Sequence, residues 1–152
     1  MLQSERTLVL VKPDGVERQL VGQILARFEA ADLAITALEL RYPEQQRVED
    51  HYAEHQEKAF FPHLIEYLVD RPVVAAVLTG DQAVSLTRQL IGDTDPATAA
   101  AETIRGDLGV DSMDKADADG RALHNLVHAS ANPEDAAREI PLWFPDHEGR
   151  PQ

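Results

Sequence analysis

The chain has 152 residues, enough for one domain with a real core, and its 43% hydrophobic content is that of a globular protein. Its 27 acids against 14 Lys and Arg leave a formal charge of −13, which repels phosphate-backbone polymers and argues against general nucleic-acid binding. With no cysteine there is no disulfide framework, thiolate metal site or cysteine nucleophile.

Composition does not separate two origins of the acid surplus, ordinary solubility and a high-salt habitat. No long apolar run and no basic amino-terminal signal occur, so a cytoplasmic protein without a membrane span is expected. No internal repeat or linker divides the chain, and residues 1–152 are expected to form a single domain.

In chain order, Thr7 to Lys12 is rich in Val and Leu and reads as a buried strand. The breaker Pro13-Asp14-Gly15 follows and places Lys12 at the strand's exit. Val21 to Ala31 has helical spacing, with Ile24, Leu25 and Phe28 on one face. Leu33 to Tyr42 reads as a second strand, stopped by Pro43. Glu44 to His55 and Phe61 to Val69 form a helical pair. Pro72 to Leu78 is a continuous apolar strand before Gly80-Asp81, with Asp81 the expected N-cap of a helix over Gln82 to Ile91. Gly92 to about Leu123 reads as one long loop, a length that points to function. Leu123 to His128 is the last strand, and Asn132-Pro133 opens the helix that carries Glu139. The order strand, helix, strand, helices, strand, helix, strand fits an α+β sheet with helices packed on one face.

The chemistry concentrates in Asn125-Leu-Val-His128-Ala-Ser130, behind Thr103-Ile-Arg105-Gly-Asp107. An imidazole offers an uncharged nitrogen near neutral pH, and arginine is a planar clamp for phosphate. On those residues alone, a histidine ending a buried strand is the plainer interpretation. An acidic chain that handles an anion must gather its cations locally, and Lys12, Arg88 and Arg105 are the candidates. No G-x-x-x-x-G-K-[ST] run is present, so a P-loop is excluded, and no H-E-x-x-H spacing marks a zinc site.

These motifs resemble the nucleoside diphosphate kinase family. The match is carried by Arg6 to Gly15, His51-Tyr52-Ala-Glu-His55, Phe60-Phe61, Arg88 to Thr94, the Thr103 run, the Asn125 run and Glu139 to Phe144, in family order. The resemblance spans roughly residues 5 to 145. It implies a ferredoxin-like βαββαβ antiparallel sheet with an extra helical pair and a long nucleotide-side loop. It also implies transfer of the terminal phosphate of a nucleoside triphosphate to a nucleoside diphosphate, by a ping-pong cycle through a phosphohistidine on His128. The alternative is a relative that binds nucleotide or regulates without turnover.

By the same resemblance, Glu139 is the partner of the histidine's other ring nitrogen, and Lys12, Arg88 and Arg105 neutralise phosphate charge. Phe60 is the stacking surface for the base. Tyr52 and Ser130 place hydroxyls by the histidine or the phosphate, Thr94 lies near the phosphates, and Asn125 contacts the sugar. Magnesium is expected on the nucleotide's phosphates and not in a protein cage. The expected partners are nucleoside di- and triphosphates and further copies of the chain, as a tetramer or hexamer. No stable nucleic acid and no membrane are expected.

Four departures from the family pattern stand out. The stretch between Arg105 and Asn125 is about ten residues longer than is usual, by count against the family pattern. Ala129 stands where a glycine is common, and Ala59 where a proline is. The polar end from Pro145 to Gln152 is short.

Overall fold

The structure is a computed structural model and describes residues 4–146. A four-stranded antiparallel sheet, in the order β2-β3-β1-β4, is its frame. The strands are β1 (Glu5–Val11), β2 (Ala34–Arg41), β3 (Val73–Gly80) and β4 (Val127–Ala129). The helices are α1 (Pro13–Glu17), α2 (Val21–Ala30), α3 (Gln45–His51), α4 (Phe61–Leu68), α5 (Ala83–Ile91), α6 (Ile104–Leu108), α7 (Met113–Asp119) and α8 (Pro133–Trp143). This is the ferredoxin-like α+β topology that the motif order implied.

β1 and β3 read as continuous apolar runs because both of their faces are covered. Leu8, Leu10, Val73, Ala75 and Val77 pack with Val48 of α3, Tyr67 and Leu68 of α4, and Ile140 and Trp143 of α8. Val9, Val11, Val74 and Leu78 pack with Ile24 and Phe28 of α2 and Ala83 and Ile91 of α5. The expectation of helices on one face therefore holds for the two crossover helices, α2 and α5. The other face is covered by α3, α4 and α8. β2 lies at the sheet's edge and is largely exposed, with a bulge between Ile35 and Ala37. Among the described residues, no helix is long and apolar enough to cross a membrane.

Three local expectations are corrected. Asp81 does not cap α5. Gln82 holds that position at φ 50°, and the free Val84 N–H is instead taken by Glu5 Oε1 at 2.8 Å, a cap supplied by tertiary structure. The segment 92–123 is not one loop, because it contains α6 and α7. Each has its own N-cap: Thr103 accepts from Gly106 N, and Ser112 from Lys115 N. The last strand is only three residues long, since Leu126 adopts φ 72° and breaks the ladder before Val127. Asn132 caps α8 as expected, accepting from Asp135 N at 2.8 Å.

Candidate active site

The ends of β1 and β4 and the starts of the segments that follow them converge on one side of the sheet. Lys12 stands one residue beyond β1, where its N–H donates to the Leu126 carbonyl at 2.8 Å. Gly15 allows this close approach. A Cβ there would lie 2.7 Å from Val11 Cγ1 and 3.2 Å from the Leu126 carbonyl oxygen. α6 delivers Arg105, and Gly106 beside it is required because a side chain would run into the Ala100 carbonyl. α5 delivers Arg88 and α8 delivers Glu139.

His128 Nε2 lies 2.9 Å from Glu139 Oε1, which also accepts from Ser130 Oγ at 2.9 Å. A carboxylate only accepts, so the imidazole proton sits on Nε2 and Nδ1 keeps its lone pair. Nδ1 has no partner among the described residues, on a ring that lines a cavity of about 410 Å³. Burial holds the His128 pKa well below its ordinary value, assisted by the charges of Lys12, Arg105 and Arg88. The ring is neutral, hence nucleophilic, throughout the physiological range.

Lys12, Tyr52, Phe60, Arg88, Thr94, Arg105, Asn125, His128 and Glu139 all border this cavity. Lys12 donates to Asn125 Oδ1 at 2.8 Å, and Asn125 Nδ2 donates to the Thr94 carbonyl at 3.0 Å. Arg105 is nearly buried. It donates to the carbonyls of Asn125, Gly92 and Val127, so the cation also fixes the bent entry to β4. Arg88 donates to the Ala129 carbonyl at 3.2 Å. Burial, followed by repulsion from Arg105, lowers Lys12 to about 8. Burial, followed by repulsion from Arg88, lowers Arg105 to about 10. Mutual depression of this kind marks a pocket short of anions. The Tyr52 hydroxyl is buried without a partner among the described residues, a donor available to an incoming acceptor. Phe60 is 44% exposed at the cavity, while Phe61 packs against the core.

Ser130 differs from expectation. It is fully buried, accepts from Leu8 N at 3.3 Å and donates to Glu139, so it touches neither the histidine nor the cavity. Ala129 pairs with Val9 in extended β4, a conformation any residue takes, and its methyl imposes no strain. His51, within the His51-Tyr52-Ala-Glu-His55 motif, has a part in the site that the motif alone does not assign. Trp143 Nε1 donates to its Nδ1 at 3.0 Å, and its ring meets that of His128 edge-on at 4.4 Å between centroids. Only its place beside Tyr52 on a helix that buries Val48 could have signalled this.

His51, His128 and Glu139 bring potential ligand atoms within 4.8 Å of one another. They do not fit a resident magnesium ion, which asks for oxygen ligands. His51 Nδ1 and Glu139 Oε1 are already engaged, and the neighbouring lysine and arginines oppose a dication. Among the described residues no other group of three or more His, Cys, Asp or Glu side chains is gathered closely enough to hold an ion.

A bared imidazole nitrogen, converging cations and an exposed aromatic ring define a site for phosphorylated ligands with a nucleophilic histidine at its base. The family model described as nucleoside diphosphate kinase matches residues 5–149. The nucleoside diphosphate kinase of Saccharopolyspora erythraea is 54% identical over 144 residues, which span 94% of this chain and 98% of that protein. That of Mycolicibacterium gilvum is 52% identical over 143 residues, 93% and 98% of the two. Among solved structures, a transition-state mimic of nucleoside-diphosphate kinase from Borrelia burgdorferi, with bound vanadate and ADP, superposes with a TM-score of 0.93. It has 35% identity and covers 98% of this chain and 92% of that one. The chain belongs to the nucleoside diphosphate kinase family.

Proposed function

We propose that this protein moves the terminal phosphate from a nucleoside triphosphate to a nucleoside diphosphate through a phosphohistidine on His128. The observation that carries the reading is the Nε2–Glu139 pair, which leaves Nδ1 free beside Lys12, Arg88 and Arg105. Nδ1 attacks the terminal phosphorus and the bridging P–O bond breaks. The diphosphate then leaves with the electron pair of that bond. As Nδ1 gains the phosphoryl group the ring becomes cationic, and the Glu139 carboxylate on Nε2–H stabilises that charge. In the second half the acceptor's terminal oxygen attacks phosphorus, the N–P bond breaks and the neutral imidazole returns. One cavity serves donor and acceptor in turn, which is what ping-pong kinetics report.

The three cations neutralise the phosphoryl oxygens, and the Tyr52 hydroxyl donates to them. Asn125 and Thr94 act from the cavity wall, Asn125 also steadying the Lys12 ammonium. Ser130 acts through Glu139. The base stacks on Phe60, and such stacking accepts any base. Magnesium enters with the substrate, bound to its phosphates. We place the reaction in the cytoplasm, in one domain spanning the chain. We also infer a homo-oligomer, because Leu38, Leu40 and Tyr42 are more than half exposed along the β2 edge.

Incubation with Mg-ATP labelled on its terminal phosphate should leave acid-labile, alkali-stable label on the protein. Unlabelled GDP should remove it as labelled GTP. The variant His128→Ala should take no label while keeping the thermal transition of the parent. Absence of label on the parent, with nucleotide still bound, would overturn the kinase reading in favour of a nucleotide binder.

A further inference from the structure

The stretch that is longer than usual for the family builds part of the cavity wall. Met113, Ala116 and Asp117 of α7 occupy positions i, i+3 and i+4, one helix face, and all three line the cavity with Phe60, just ahead of α4, and Leu64 within it. α7 is fastened at both ends. Met113 N donates to Asp95 Oδ1 at 3.2 Å, and Gly120 closes the helix at φ 65°. Beyond it, Arg121 grips Asp111 through Nη1 at 2.7 Å and Nη2 at 2.9 Å, while His124 N donates to Asp111 Oδ2 at 2.9 Å. Ala116 is 1% exposed, so the helix packs as a wall.

A nucleotide in this cavity sends its phosphates to the cations and its base to the apolar lining. Met113 and Phe60 grip any base through its faces. Asp117 differs, because its carboxylate has no hydrogen-bond or ion-pair partner among the described residues and borders the same lining. The other free carboxylate there, Asp135, sits one turn before Glu139 at the histidine end. Two carboxylate oxygens match two adjacent donors. Guanine presents N1–H beside its N2 amine, whereas hypoxanthine keeps only N1–H. Adenine places its amine next to a ring acceptor, and uracil flanks its N3–H with two carbonyl oxygens that a carboxylate repels.

We propose that α7 is a base-selecting wall and that Asp117 makes the site prefer guanine nucleotides. The inference rests on the cavity being the nucleotide site. Its test uses equilibrium competition binding of GDP, IDP, ADP and UDP to the full chain, without turnover. GDP should bind about five- to tenfold tighter than ADP, with IDP between them, the size expected of a partly solvated charged acceptor. In Asp117→Asn the GDP-to-ADP ratio should fall towards one. Met113→Ala should weaken all four ligands alike, and Asp114→Asn, at an α7 carboxylate that does not border the cavity, should keep the parental ratio. Equal affinities in the parent, or an unchanged ratio in Asp117→Asn, would overturn the proposal. A failure to form phosphohistidine would strike the kinase reading alone, because these ratios are read without chemistry. Failure of every nucleotide to bind would remove both.

Discussion

At the scale of single residues, the site is governed by what burial does to charge. Two groups bound its working range. His128 titrates well below 6.5, so its neutral form persists as pH falls through the range where a free histidine would protonate. Lys12 is lowered to about 8, so its cationic form is lost as pH rises through that value. Since kcat/KM reports ionisations of the free enzyme, it should stay level from below pH 6.5 to about 8 and decline above. The variant Lys12→Gln should show a lower plateau and no decline near 8. A pH profile of the two proteins with Mg-ATP and GDP measures both, and a decline that survives in Lys12→Gln would assign it elsewhere. Most of these residues were legible in the sequence because the chemistry needs their types: a nucleophile, a carboxylate, cations. His51 was not, since its part depends on a hydrogen bond from Trp143, 92 residues away. The placing of Ser130 behind Glu139 was equally hidden, because a hydroxyl two residues from the histidine could face either way.

At the scale of elements, the strands and long helices followed from apolar patterning, and the errors fell where tertiary contacts decide. β4 was expected to begin at Leu123, but Lys12 N and Arg105 occupy the backbone carbonyls of residues 125–127 and the chain bends there. The segment 92–123 read as a loop because its glycines and acids weaken helical propensity. α6 and α7 form there nonetheless, through side-chain caps and the Asp111–Arg121 grip. That grip carries a prediction. Asp111 is nearly buried and serves both Arg121 and the His124 N–H, so Asp111→Ala leaves Arg121 Nη2 and the His124 N–H unpaired, while Arg121 keeps Asp119 and the Ala122 carbonyl. A loss of about 2 kcal/mol is expected, Arg121 being solvated enough to recover part of its pairing. Hydrogen exchange should quicken in residues 109–124 and stay slow in β1 and β3. Uniform acceleration would mean that the segment is not a separately fastened unit.

At the scale of the whole molecule, the sheet leaves one edge open. β2 pairs with β3 on one side only, and its other side presents unpaired backbone together with Leu38, Leu40 and the neighbouring Tyr42. Such an edge on an isolated chain invites association, and natural proteins usually blunt it with charge or cover it. Here Glu39 and Arg41, which alternate along the strand with Leu38, Leu40 and Tyr42, pair with each other at 2.9 Å, so their charges are already partly cancelled. The formal charge of −13 opposes the meeting of two copies at long range, so apolar burial has to outweigh it, and salt that screens the repulsion should favour association. Sedimentation of the parent should therefore give an oligomer whose dissociation shifts to lower protein concentration as sodium chloride is raised from about 0.1 to 1 M, where the Debye length falls from roughly 10 to 3 Å. Leu40→Glu adds a charge to the apolar edge without touching the cavity, and should yield a monomer at concentrations where the parent is assembled. An oligomer unaffected by Leu40→Glu would place the interface away from β2.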